Sequence, residues 1–327
     1  MAATELNQPI IGLNKVVIFG VGLIGGSFAL ALKQHAAVKQ IVGVGRSQLS
    51  LERALALGIV DSICISHSHE SCDSSDALGD SASLAAALDG ADLVLIAAPV
   101  AQTESILARI YPHLQTSTIV TDAGSTKSDV VASARRALHD KIAQFVPAHP
   151  IAGREENGPE AALAGLYQGK KLVIAAMPEN TPAALELVAA AWRCCGAVPY
   201  YLSAAEHDNV FAAVSHLPHL LAYALVDQIA HQPTADIRFQ FAASGFRDFT
   251  RIAGSSPEMW RDISLANRTA LLDELALYQQ QLQRLQHDLQ EENGEALLAM
   301  FSSAQQARQR WTASIEVAEK PGVDGGD

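Results

Sequence analysis

The sequence predicts an α/β protein: a doubly wound parallel sheet over roughly the first two thirds of the chain, then an all-α domain. Three observations predict it. Short, continuous apolar runs alternate with helix-forming segments from Lys15 to Leu202, the pattern of strands covered on both faces by crossover helices. The first of these runs ends in glycines spaced for a strand-to-helix phosphate turn. After Leu202 no convincing strand signal follows, and apolar residues fall at helical spacing.

The first run, "VVIF", reads as a strand buried on both faces. Gly20, Gly22 and Gly25 then spell G-x-G-x-x-G, with Leu23 and Ile24 opening the helix that runs to Gln34. The first glycine serves the tight turn, the second lets a pyrophosphate approach the backbone, and the third lets helix and strand pack closely. The helix N-terminus faces the phosphates. Because a second strand, "QIVGVG", follows in order, the motif predicts a Rossmann-type dinucleotide site. The end of that second strand bears on which dinucleotide. An NAD site places Asp or Glu there to hold the ribose 2′-hydroxyl. Here Gly45 takes that place, and Arg46 and Ser47 follow. Arginine pairs with a 2′-phosphate that a carboxylate would repel, so the strand end favours NADP, with NAD as the alternative.

"ADLVLIAAPV" (Ala91 to Val100) is a further strand, ending at Pro99, where backbone passes along the cofactor. "TIVTDAGSTKSDVVASARRAL" gives a strand, a turn from Asp122 to Thr126 with Gly124 assigned to the cofactor, and a helix with basic residues late in it. "KIAQFVPAHPIAG" is the next strand. Proline holds its predecessor extended, so His149 is expected at the exit of that strand. "KKLVIAAM" and "AVPYYL" are two more strands, separated by the helix "TPAALELVAAAWRCC". Ligands of such sheets bind at the C-terminal strand edge, where Gly20, Arg46, Pro99, Ser125 and His149 all fall. By residue type alone, His149 is either an idle rim residue or a general base. Ser125 is either a helix N-cap or that base's neighbour.

From Ser203 the pattern is helical, opened by a Ser203–Glu206 capping box. Pro218 is expected to kink or split this helix. Short helical pieces between glycine turns follow, and from Thr269 to about Ala313 one or two long amphipathic helices. The expected organisation is an extension (1–14), a dinucleotide-binding domain (15–202), a helical domain (203–316) and a disordered tail (317–327). The Leu-rich stripes point to a homodimer through the helical domain, with internal core as the alternative.

The net charge of −12 over 327 residues argues against nucleic-acid binding, which needs a basic surface. No apolar run is read as approaching the roughly 20 residues of a spanning helix, and the N-terminus lacks a signal-peptide pattern, so no membrane role and a cytoplasmic location are expected. The four cysteines form no C-x-x-C pair and read as reduced thiols. "HSHESCD" resembles a metal cluster, but it lies in a Ser/Asp-rich segment without periodicity, read as a solvated loop over about residues 66–83. No metal is expected.

Taken together, "GVGLIGGS", "DAGSTK", "HPIAGRE", "VSHLPHLLAYALV" and "GFRDFTRIAGSSPEMWRDI" resemble the prephenate/arogenate dehydrogenases of tyrosine biosynthesis. The likeness runs from about Lys15 to the Leu-rich helices. It implies a Rossmann domain with a helical dimerisation domain and oxidative decarboxylation of prephenate to 4-hydroxyphenylpyruvate, or of arogenate to tyrosine. It also implies site roles: His149 as the group that polarises the substrate C4 hydroxyl, Ser125 as its partner, His216 as a second substrate histidine, and Arg251 as the carboxylate clamp. The chemistry agrees, because hydride loss from C4 and CO2 loss from C1 make an aromatic ring. The enzyme then has to supply position, a base and carboxylate clamps. Histidine suits the base and arginine the clamp. His219 reads as structural, and Arg247 and Arg261 compete with Arg251. Trp260 reads equally as core or as a site wall. Arg154, Glu155 and Glu156 depart from the family's small or polar residues and are assigned to face the substrate side chain. Their mixed charge leaves keto acid and amino acid open. A β-hydroxyacid dehydrogenase or imine reductase would favour a lysine on the helical domain, but none occurs between Lys171 and Lys320. A non-catalytic NADP sensor would need neither His149 nor Arg251.

Overall fold

A computed structural model describes residues 11–66 and 74–319, with side chains described for 11–66 and 81–314. The metal-like stretch from His67 to Asp73, most of the N-terminal extension and the end of the tail lie outside the described residues. The chain divides into two compact units, Met1–Leu271 and Leu272–Asp327.

In the first unit, β1 (Leu13–Phe19), α1 (Leu23–Gln34), β2 (Val38–Gly45), α2 (Gln48–Ala56) and β3 (Ser62–Ile65) follow in turn. Next come α3 (Ser74–Leu88), β4 (Leu93–Ile96), α4 (Thr103–Ile110), β5 (Ile119–Asp122), α5 (Ser128–Leu138) and β6 (Phe145–Val146). The six strands form one parallel sheet in the order β3-β2-β1-β4-β5-β6. Along β1, Val16 and Ile18 join one apolar core while Val17 and Phe19 join the other. Period-2 alternation thus feeds both faces, and for that reason the strand reads as continuously apolar. The segment read as a solvated loop is helical from Ser74 onward, continuous with the turns that place Leu84, Ala87 and Leu88 in the core.

The single parallel sheet expected for all the strands is not what forms. β7 (Ala148–Pro150), β8 (Lys171–Ile174) and, after α6 (Pro182–Cys194), β9 (Val198–Tyr201) make a separate three-stranded sheet, β7 antiparallel to β8 and β8 parallel to β9. Pro147 has no N–H to continue the ladder, and the Ala148 N–H goes to Asp122 Oδ1 at 3.0 Å instead. His149 therefore lies in a strand, paired with Val173, rather than at a strand exit.

The capping box forms as read: Ser203 and Glu206 satisfy each other's backbone at the start of α7 (Ala204–Phe211). A π-helical turn, Ala212–His216, joins α7 to α8 (Leu217–Ala230), with Pro218 in the first turn of α8. Such turns accompany functional sites. The 27-residue stretch Ala204–Ala230, which contains an 18-residue window of mean hydropathy 1.3, is long and apolar enough to cross a membrane by length and composition, contrary to the expectation that no run reaches that length. Its His207, Asp208 and His216 bond within the polar cluster described below. Those bonds carry the first unit past Leu202, where the sequence pattern changes, through α9 (Ala235–Gln240), α10 (Ser244–Thr250) and α11 (Pro257–Ala266). Two long helices follow, α12 (Arg268–Gln290) and α13 (Gly294–Glu319).

Candidate active site

At the C-terminal edge of the parallel sheet an open cleft of about 1340 Å³ is lined by Gly20, Gly22, Gly45, Arg46, Ser47 and Pro99, among others. Gly20 has φ +90°, and a Cβ there would meet the Ala97 carbonyl oxygen at 2.6 Å. A Cβ on Gly25 would meet the Gly20 oxygen at 2.2 Å, so this glycine is required by helix–strand contact. Gly22 differs, because a Cβ would meet nothing within 4 Å. The protein leaves that space open at the start of α1, where a pyrophosphate fits. Leu23 is buried, and the Ile24 carbonyl accepts from the Tyr167 hydroxyl at 2.6 Å, so both hold the turn in place. Ser47 also caps α2 by accepting from Ser50 N–H. Among the described lining residues there is no Asp or Glu, while Arg46 and Arg109 are present. The cradle suits an anionic dinucleotide.

Ser125, Gly124 and His149 do not line this cleft; they belong to a polar cluster built around Asp122 and Asp208. Lys127 Nζ and Asp122 form an ion pair, both side chains essentially inaccessible. Asp122 also accepts from the Gly124 N–H at 2.8 Å and the Ala148 N–H at 3.0 Å, so the glycine turn and the histidine strand hang on one carboxylate. Asp208 accepts from the Lys127 and Ser128 N–H groups, each at 2.8 Å. It caps α5 from 80 residues away, and Ser125 is not the cap. The Ser125 side chain makes no hydrogen bond within the described protein and is half-buried beside the turn.

The histidines form a chain. His149 Nδ1 lies 2.8 Å from His207 Nε2, and His207 Nδ1 lies 2.9 Å from Asp208 Oδ1. Phe211 packs against both rings, with centroids 5.0 and 4.4 Å away. Asn267 donates to the Asp208 carbonyl at 2.7 Å and meets His216 Nδ1 at 3.0 Å. Burial pushes His149 well below the usual histidine range, helped by His207, Lys127 and His216. Burial also lowers His207 and takes His216 down to about 4. Burial works against the Asp208 charge too, but bonds from His207, Ser128 and Lys127 outweigh it and keep the carboxyl low.

The structure gives the two histidines of "VSHLPH" different access. His216, assigned to substrate, is 1% exposed, its Nδ1 engaged by Asn267 and its Nε2 without a partner of good geometry. His219, read as structural, is half-buried. It stacks on Trp260 at 3.6 Å between centroids, and burial chiefly, then the Arg251 charge, lowers its pKa. Only Leu217 and Pro218 separate them in one continuous helical stretch, so nothing in the sequence ranks their access. Arg251 pairs with Glu155 at 2.5 Å, both about half exposed. Arg247 and Arg261 pair with their own neighbours, Asp248 and Asp262, so Arg251 alone of the three reaches the segment after His149. Arg154 pairs with Glu156 on the surface. His207, Asp208, Asp122 and Lys127 were not singled out by sequence. The adjacent His–Asp pair beside a capping box was the only signal for the first two.

Residues 28–201 match the family described as prephenate dehydrogenase, nucleotide-binding domain, and residues 203–303 match its dimerization domain. A cyclohexadienyl dehydrogenase of Zymomonas mobilis is 32% identical over 90% of this chain and 94% of its own length. The chain belongs to the prephenate dehydrogenase family. As a member it is an oxidoreductase with a nicotinamide-nucleotide-binding domain. Within the family, the crystal structure of prephenate dehydrogenase from Aquifex aeolicus, in complex with hydroxyphenyl propionate and NAD+, is 34% identical with a TM-score of 0.81, covering 92% of this chain and 99% of that one. Synechocystis arogenate dehydrogenase is 26% identical with a TM-score of 0.72, covering 91% and 99%.

Proposed function

We propose that this chain oxidises and decarboxylates a cyclohexadienol, prephenate to 4-hydroxyphenylpyruvate or arogenate to tyrosine. The observation that carries the reading is a half-buried base, His149, held by its Nδ1 on His207, in a strand that Asp122 ties to the turn bearing Ser125. When bound, the nicotinamide accepts the hydride from C4. His149 takes the hydroxyl proton through Nε2, and Ser125, whose hydroxyl has no partner among the described residues, bonds the same oxygen. Loss of CO2 from C1 leaves the electron pair that completes the ring, and His149 returns the proton to the phenolate oxygen. Atoms and charge then balance without any proton leaving the site. Arg251 clamps a substrate carboxylate with its planar donors, displacing Glu155. His219 and Trp260, stacked on each other, form the adjoining wall, and His216 lies buried behind them, against Asn267.

NADP is the favoured cofactor in this reading, NAD the alternative. Support comes from Gly45 in the acid's place, Arg46 beside it and the absence of carboxylates among the described lining residues. Glu155, free once Arg251 holds the substrate, would favour the ammonium of arogenate, whereas Arg154 gives no such preference. The assembly proposed is a homodimer through the helical domain, acting in the cytoplasm on a small molecule, with no nucleic-acid or membrane partner. The test is cofactor reduction, followed by the absorbance of the reduced nicotinamide, with each substrate and each cofactor. The expected outcome is turnover by wild type, faster with NADP, and a loss of roughly 10²–10⁴-fold in kcat for His149→Asn. No reduction with either substrate overturns the activity, a clear NAD preference overturns the cofactor choice, and an active His149→Asn overturns the base.

A further inference from the structure

We infer that His207 and Asp208 complete the site as a proton relay: Asp208 fixes the tautomers of both imidazoles, and His207 holds the transferred proton until it returns to the product oxygen. The tautomer half stands on geometry alone, while the proton-holding half rests on the dehydrogenase reading above.

Asp208 sits at the N-terminus of α5, an 11-residue helix, and accepts two of its free N–H groups. Backbone donors and the helix dipole both favour the carboxylate there, so Asp208 is an acceptor only. The His207 nitrogen facing it, Nδ1, therefore carries the hydrogen. In a neutral imidazole the other nitrogen is then bare, so His207 Nε2 accepts. Among the described residues the group it faces is His149 Nδ1, 2.8 Å away, which must donate. His149 is left with Nε2 unprotonated, the state a general base needs. One ionised carboxylate, with Phe211 packed against both rings, thus sets the polarity of the whole chain.

The same geometry decides where the proton rests. When His149 Nε2 takes the hydroxyl proton, its Nδ1 proton passes to His207 Nε2. The positive charge moves from a ring facing another histidine to one 2.9 Å from Asp208. Lys127 and Asp122, from the β5–α5 turn, also face His207 but are bonded to each other, and His216 faces it from the π-helical turn. His207 is wholly inaccessible, so the proton is held from water and goes back by the reverse shift when the phenolate forms. One proton leaves the substrate oxygen and one returns, and Asp208 stays ionised throughout. The pKa directions agree: burial and neighbouring cations depress His149 strongly, whereas Asp208 opposes the depression of His207.

The test uses the full chain labelled with 15N-histidine, with His149 assigned by its loss in His149→Asn. At neutral pH the ring should be the Nδ1–H tautomer with a bare Nε2. His207→Gln keeps the spacing and polarity, since its amide donates to Asp208 while its oxygen accepts from His149, but it takes up no proton. We expect it to preserve the His149 tautomer and to hold KM for the substrate within about threefold, with kcat falling roughly 100-fold or more. An Nε2–H tautomer in wild type overturns the proposal. So does a His207→Gln enzyme with kcat within about threefold of wild type, which would leave the proton on His149. If wild type turned over neither substrate, the activity reading would fail, and the tautomer would still decide the relay's geometry.

Discussion

His216 shows how a buried histidine couples this site to pH. Its pKa falls from an ordinary 6.5 to about 4 in the folded chain, chiefly because burial strips water from the charged ring, with His207 and His219 adding to the effect. In the unfolded chain it titrates normally. Above about pH 6.5 it is neutral in both states and has no effect on stability. As pH falls below that value the unfolded chain binds the proton first, so stability is lost progressively down to about pH 4, by about 3 kcal/mol for this residue. His149, His207 and His219 are depressed in the same direction, so the total loss exceeds that figure. Urea unfolding at pH 7, 5.5 and 4 measures it, and unchanged stability across the series would contradict the buried cluster. Arg251 is the opposite case. Its pair with Glu155 is about half exposed, so it contributes little to stability. Arg251→Gln should leave Tm unchanged and raise KM for the substrate at least about tenfold, the loss expected for one charge-assisted contact. A normal KM would remove Arg251 from the carboxylate site.

At the scale of elements, the glycine turn separates folding from binding. Gly25→Ala would put a methyl 2.2 Å from the Gly20 oxygen, and such overpacking costs about 1–3 kcal/mol. Gly22 has an extended conformation, φ −102°, with open space where its Cβ would point. Gly22→Ala should therefore fold with near-normal stability while its cofactor KM rises at least about tenfold, because the methyl occupies the phosphate's place. Equal stability losses in the two variants would refute the distinction. This turn was readable from sequence because its demands are local: a strand, three spacings and a helix. The β-α order was readable for the same reason. His149 was found as a residue but not as part of a second sheet, since that depends on Asp122 capturing the Ala148 N–H from 26 residues away. Asp208 acting as the cap of α5 from 80 residues on has no local signature at all. His216, at the end of the π-helical turn, and His219, in α8, differ in which side of the helical stretch meets the cluster, and a stretch that is apolar over most of its surface does not announce that side.

At the scale of the molecule, the second unit does not account for itself. Its two long helices carry no buried side chain among the described residues from Leu272 to Ser314. Leu277, Leu289, Leu298 and Phe301 are all more than half exposed. Helices of 23 and 26 residues draw most of their stability from burying an apolar face, and exposed apolar stripes of this extent mark an interaction surface. A second copy of the chain is the occupant that the dimerization-domain match over residues 203–303 favours, related by a two-fold axis that sets the same stripe against itself. Light scattering should then give a particle of twice the 34.6 kDa chain mass. Its Tm should rise with protein concentration, because association and folding of these helices are linked. Leu277→Glu together with Leu298→Glu puts charge into the stripe without touching the His149 cluster, so it should yield monomer and lower helix content in circular dichroism. A wild-type chain that stays monomeric at high concentration with α12 and α13 fully helical would refute the assembly, and would require those helices to be stabilised from within one chain.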